Sequence, residues 1–91
     1  GFIKTYVHGG RIGVMLEIHA ETDFVVRSEP FQALTQDLVM HIAAANPENV
    51  ESLLAQPFVK DESITVESLI KNIISKVGEN IKVDKFCRYE I

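Results

Sequence analysis

The chain has 91 residues, 46% of them apolar and 24% charged, with a formal net charge of −4. That length allows one small domain with a modest core, and the composition is that of an ordinary globular domain rather than a disordered or low-complexity segment. Its lysines, at Lys4, Lys71, Lys76, Lys82 and Lys85, are scattered among acids, an arrangement unsuited to non-specific nucleic-acid binding, which depends on cations meeting phosphate.

No apolar run approaches the roughly 20 residues of a membrane-spanning helix, which speaks against a membrane role. The chain opens on Gly1-Phe2 with neither a methionine nor a signal-peptide pattern, so residues are expected upstream of it, removed by processing or by design. Cys87 is the single cysteine. An internal disulfide is impossible, a cysteine-based metal site nearly so, and the count fits a reducing compartment.

Residues 1 to 21 read as a β-hairpin. Phe2 to His8 is rich in β-branched and aromatic types, and Gly9-Gly10 supplies a turn in which glycine accepts positive φ. The return strand alternates. Ile12, Val14, Leu16, Ile18 and Ala20 share one face, and Arg11, Gly13, Met15, Glu17 and His19 share the other. A period of two with one polar face marks a half-buried antiparallel strand.

Glu21 to Arg27 links this strand to a helix with Ser28 as N-cap and Pro30 in the first turn. Phe31, Leu34, Leu38, Ile42 and Ala45 recur at spacings of three and four, and Asn46-Pro47 ends the helix. Residues 48 to 56 allow one or two helical turns. Gln56 to Val59 reads as extended, and Lys60 to Ser63 as a polar turn. Thr65 caps a second long helix whose stripe is Val66, Leu69, Ile70, Ile73, Ile74 and Val77, with Gly78 as its C-cap. From Asn80 the alternation returns and puts Ile81, Val83, Cys87, Tyr89 and Ile91 on one face, interrupted by Lys85. The expected fold is α+β, a three-stranded antiparallel sheet with two main helices packed on one face.

The ingredients of catalysis are sparse. His8, His19 and His41 fall on three different elements without metal-ligand spacing, and Cys87 has no histidine partner. No phosphate-binding loop is present, and Gly9 to Gly13 precedes a strand, which makes it a hairpin turn. Neither an enzyme, a metal nor a cofactor is expected. The most informative stretch is Glu21-Thr22-Asp23-Phe24-Val25. If the strand continues past Ala20, Phe24 is buried. If it ends at Glu21, Asp23 and Phe24 sit on an exposed connection and form a contact point. Pattern alone favours burial.

That stretch resembles the Glu-Thr-Asp-Phe-Val motif of the elongation factor Ts family. Tyr6 to Val14 is similar to the family's preceding hairpin, and Met40 to Pro47 to the end of its following helix. Gln56 to Asp61, Gly78 to Ile81 and Phe86 to Ile91 match further blocks in the family's order. The resemblance spans nearly the whole chain. The chain departs from the family pattern at His19-Ala20, where Asn precedes a small residue, and at Val26, where Ala is usual. Only residues 48 to 56 stand where family members carry a long helical stretch, and residues 1–91 are expected to be a single core, or dimerisation, domain without a counterpart of the family's N-terminal helical domain.

The resemblance implies a guanine nucleotide exchange factor that binds elongation factor Tu in translation elongation. On this basis Thr22, Asp23, Phe24 and Val25 displace Mg²⁺ from that partner and so release its GDP, while His41 and Arg11 belong to further partner-binding surface. It also implies a homodimer and a bacterial cytoplasmic, organelle-matrix or stromal location. Cys87 is expected to pack as a small apolar residue or, alternatively, to meet its own copy across a dimer axis. The competing reading is a dimerisation or docking module without exchange activity of its own.

Overall fold

A computed structural model describes residues 1–91. Strands β1 (Phe2–His8) and β2 (Ile12–Ala20) form the expected hairpin, with Gly9 and Gly10 both at positive φ in its turn. The last strand, β5 (Ile81–Glu90), pairs antiparallel with β2 on its other side, so the sheet order is β1-β2-β5 and β2 is central.

Between β2 and β5 lie α1 (Asp23–Val26), α2 (Glu29–Ala45), α3 (Val50–Ala55), β3 (Pro57–Phe58), β4 (Asp61–Thr65) and α4 (Val66–Val77). The two long helices carry the caps read from the sequence. Ser28 and Thr65 accept N–H groups of their own first turns, and Gly78 ends α4 in the left-handed region. Asn46 ends α2 at φ 48°, a conformation that asparagine tolerates better than most residues.

Leu34, Leu38 and Ile42 of α2 meet Val14, Leu16 and Ile18 of β2 in one core, and Phe31 packs edge-on against Phe2 of β1. Val66 and Ile70 of α4, Leu53 of α3, and Ile81 and Val83 of β5 extend that core sideways. The helices therefore cover one face of the sheet, as the α+β reading requires.

Three local expectations are corrected. Of the expected polar turn Lys60 to Ser63, residues 61–63 instead belong to β4. It pairs with Pro57 and Phe58 to make a separate two-stranded sheet, and the chain reverses at Val59-Lys60. The link after β2 contains the short helix α1. The third concerns β5. Its register against β2 slips between Glu17 and Ile18, so that Asp84 is an extra residue between Val83 and Lys85. Such a bulge shifts the pleat by one residue. Ile81 and Val83 point into the core, but beyond the bulge Phe86 and Arg88 take over that face. Cys87, Tyr89 and Ile91 point away from it and are exposed. Cys87 is thus not packed as a small core residue.

Candidate functional site

The end of β2 is fixed by side chains from the opposite end of the sequence. Glu21 accepts the backbone N–H of Asn80. Thr22 is extended at φ −134°, ψ 154°, and its Oγ1 accepts the N–H of Val25 at 3.3 Å, which makes Thr22 the N-cap of α1. Thr22 also donates its own N–H to Glu79 Oε1 at 3.0 Å and its hydroxyl to Glu79 Oε2 at 2.8 Å. Behind the turn, Ser28 donates to the carbonyl of Val25 at 2.6 Å, and the Gln32 amide donates to that of Val26 at 2.7 Å.

This bonding decides which side chains face water. Val25 and Val26 are buried and pin α1 to the core. One helical turn cannot bury all four of its side chains on one side, and Asp23 and Phe24 point outward. Phe24 is 80% exposed, the highest value among the large apolar residues that face solvent. The buried reading of Phe24 is therefore corrected: the strand ends at Ala20, and Thr22 turns the chain. Leaving a phenylalanine in water forgoes roughly 1.5–3 kcal/mol of burial, and the fold leaves this ring exposed on a capped, hydrogen-bonded turn.

The other two predicted contact residues lie elsewhere. Arg11 is exposed in the β1–β2 turn, where it donates to the carbonyl of Ile91 at 3.2 Å and so secures the end of β5. It stands at the opposite end of β2 from Thr22, roughly 30 Å away at the usual rise per strand residue. His41 is fully buried. Its Nδ1 accepts the N–H of Val59 at 3.2 Å, and its Nε2 donates to Gln56 Oε1 at 2.8 Å, which defines the neutral Nε2–H tautomer. The expectation of His41 as partner-contact surface is thereby corrected. This histidine locks α2 to the β3 segment. The signal was present, because His41 lies three residues after Leu38 and seven after Leu34 and so shares their helix face.

Sequence reading weighed His19 as a metal ligand only against the other histidines and did not single out Glu17 or Asp84, yet the donor atoms of these three all lie within 4.8 Å of one another. The bulge creates this group by placing Asp84 and Lys85 on the same side. Of the side chains brought together, these are the three close enough to hold a metal ion. Here Glu17 Oε2 bonds His19 Nε2 at 2.8 Å and Oε1 faces the Lys85 ammonium at 3.9 Å, so other groups already serve it. The hydrogen bond from His19 holds the Glu17 carboxyl below its usual value of 4.5 against an opposing desolvation, with help from Lys85 and from Asp84.

What this geometry defines is an α+β domain that displays one aromatic side chain on a rigid turn. The family model for elongation factor Ts matches residues 21–91, beginning at the first residue of that turn. The whole chain is 34% identical over 136 residues to an elongation factor Ts of Alkaliphilus oremlandii, covering 63% of that protein. It is 41% identical over 92 residues to one of Nostoc sp., covering 29% of it, and 98% of the chain is 37% identical to one of Cyanothece sp., covering 52%. The chain belongs to the elongation factor Ts family. It spans less than two thirds of the length of these relatives, and the alignments of 136 residues exceed the 91 of this chain, so two of these relatives carry residues that it lacks.

Two outcomes are expected. His41→Ala removes a buried ring and leaves the Val59 N–H and the Gln56 carbonyl unpartnered, and should lower the unfolding free energy by about 2–4 kcal/mol in urea denaturation. The Glu17 contribution has the sign of a depressed carboxyl: whole above the usual value, and lost as pH falls through the lowered one. The melting temperature of the parent should exceed that of Glu17→Gln near neutral pH, and the gap should shrink as pH falls below the usual carboxyl value. A gap that widens on acidification contradicts this assignment.

Proposed function

We propose that this chain is an exchange-factor domain that binds elongation factor Tu and promotes release of its GDP by displacing Mg²⁺, acting in translation elongation as a binding factor rather than an enzyme. The observation that carries the reading is the exposed Phe24 on a turn whose residues, Glu21 to Val25, are those of the family motif. Phe24 wedges into an apolar gap in the partner, and Asp23 beside it disturbs the groups that hold the metal. Thr22 and Val25 hold the turn from which both project. Mg²⁺ requires near-ideal octahedral geometry, so a small displacement of its supporting groups weakens it. GDP phosphates left without the cation dissociate faster. Reciprocity requires that the chain bind the nucleotide-free partner more tightly than the GDP-bound one, by the ratio in which it weakens GDP.

In this reading residues 1–91 are one core domain, and the additional aligned length of relatives is a helical stretch between α2 and β3. Arg11 adds partner contact at the far end of the sheet. The compartment is a bacterial cytoplasm or an organelle matrix or stroma, and neither nucleic acid nor membrane is contacted. No helix of this fold is long and apolar enough to cross a membrane.

A second reading has its own observation. The face of the sheet opposite the helices is uncovered and presents Ile3, Val7, Met15, Tyr89 and Ile91, with Cys87 paired in register to Met15. Contiguous apolar surface of this kind marks an interface. A second copy of the chain is the occupant that closes it by two-fold symmetry, because the same patch serves both sides. As a homodimer the domain is a docking unit whether or not it drives exchange, and Cys87 stands on the face that meets its copy.

Truncating an aromatic anchor costs roughly 2 kcal/mol or more, about thirtyfold in rate. Phe24→Ala is therefore expected to slow chain-stimulated release of a fluorescent GDP analogue from elongation factor Tu by about that factor. Unchanged release by a folded variant would refute the wedge. For the second reading, the parent chain should sediment as a dimer at about 50 μM and Met15→Glu as a monomer, since the interface would bury an unpaired charge. A parent that stays monomeric at that concentration removes the dimer.

A further inference from the structure

Helix α1 has four residues and cannot hold its own shape, since even much longer isolated helices are marginal in water. Its geometry comes from outside. Gly78 ends α4 at φ 74°, with its N–H on the carbonyl of Ile74 at 2.8 Å, and this left-handed turn delivers Glu79 to the face of Thr22. Glu79 then receives both the backbone N–H and the hydroxyl of Thr22, one on each carboxylate oxygen. The neighbouring link runs the other way, with Glu21 receiving the N–H of Asn80. Two adjacent residues of the β2–α1 junction are thus crossed with two adjacent residues of the α4–β5 junction, across separations of 57 and 59 positions.

We infer that Glu79 is a positioning residue: by holding Thr22 at two points it sets the direction in which Phe24 projects. The inference rests on the reading of Phe24 as the contact element. Thr22 is the N-cap of α1, and a cap whose own N–H and hydroxyl are anchored cannot swing about the end of β2. Ser28 and Gln32 hold the carbonyls of Val25 and Val26 behind the turn, so Phe24 lies between two fixed ends. With Glu79 truncated, the rear bonds and the Glu21–Asn80 link remain, but Thr22 loses both of its anchors. The chain is expected to fold still, because Glu79 is not a member of the hydrophobic core.

A purely structural role and a positioning role differ in what they move. The test compares the parent chain with Glu79→Ala and Glu79→Gln for release of a fluorescent GDP analogue from elongation factor Tu, titrated to saturation, alongside thermal melting. A displacement of about 1 Å can cost on the order of a hundredfold in rate, so Glu79→Ala is expected to lower the saturating release rate about tenfold or more. Its melting temperature should remain within a few degrees of the parent. Glu79→Gln keeps an oxygen for the Thr22 N–H and should retain the rate to within about threefold. A Glu79→Ala rate equal to the parent overturns the inference. So does a rate that falls in both variants together with melting temperature. If the parent itself releases no GDP, the proposed function fails, and amide hydrogen exchange decides the clamp alone: about tenfold faster exchange at Thr22, Val25 and Val26 in Glu79→Ala upholds it, and unchanged exchange overturns it.

Discussion

A three-stranded sheet has two faces, and this chain provides helices for only one of them. Much else follows from that constraint. Leu16 and Ile18 of the central strand are fully buried beneath α2, while Met15 on the same strand looks out from an uncovered surface. Because β2 is flanked on both sides, its backbone is satisfied by β1 and β5, and its ends become the fixed points of the molecule. One end carries the Gly9-Gly10 turn with Arg11. The other carries Glu21 to Val25. An aromatic ring can be presented steadily at this second end because the strand beneath it is the best-anchored element in the fold.

The long helices and the hairpin were legible in the sequence because their periodicity and their caps agree. The stripe from Phe31 to Ile42, the Ser28 and Thr65 caps and the glycine at 78 each point to the element that forms. The last strand was half legible. Alternation from Ile81 is real, but the extra residue Asp84 shifts the pleat, and a period-two reading carried through a bulge assigns every later side chain to the wrong face. Lys85, which interrupted the pattern, was its only trace. Lys60 to Ser63 read as a turn because their composition is polar, yet residues 61–63 lie in β4, which pairs with Pro57 and Phe58.

The candidate site was legible as a motif but not as a geometry. Phe24 occupies the phase of a buried strand residue, and what takes it out of that phase is the cap at Thr22 together with an acceptor that lies 57 positions away. No local pattern announces Glu79. Conversely, His41 is an imidazole on a helix, and the family resemblance put it on a partner-contact surface. Its burial is possible because both ring nitrogens find partners within the fold, and no buried side-chain nitrogen or oxygen in the chain lacks one. Polar residues whose partners are distant in sequence are the ones that sequence reading misplaces.

The same bonding bears on what an exposed aromatic can accomplish. A ring on a mobile loop must be ordered when it docks, at a cost of roughly 0.5–1.5 kcal/mol for an immobilised side chain and more for the backbone beneath it. Here most of the backbone cost is met on folding, by Glu79 and Glu21 in front of the turn and by Ser28 and Gln32 behind it. A wedge acts on a partner only if it yields less than the partner does. If Phe24 swung freely it would rotate away from resistance, and its contact energy would not be transmitted to a strained metal site. In the proposed mechanism a turn held at both ends would direct that energy into displacement of the partner's groups, which makes the bonding of residues 22 to 26 part of that proposal.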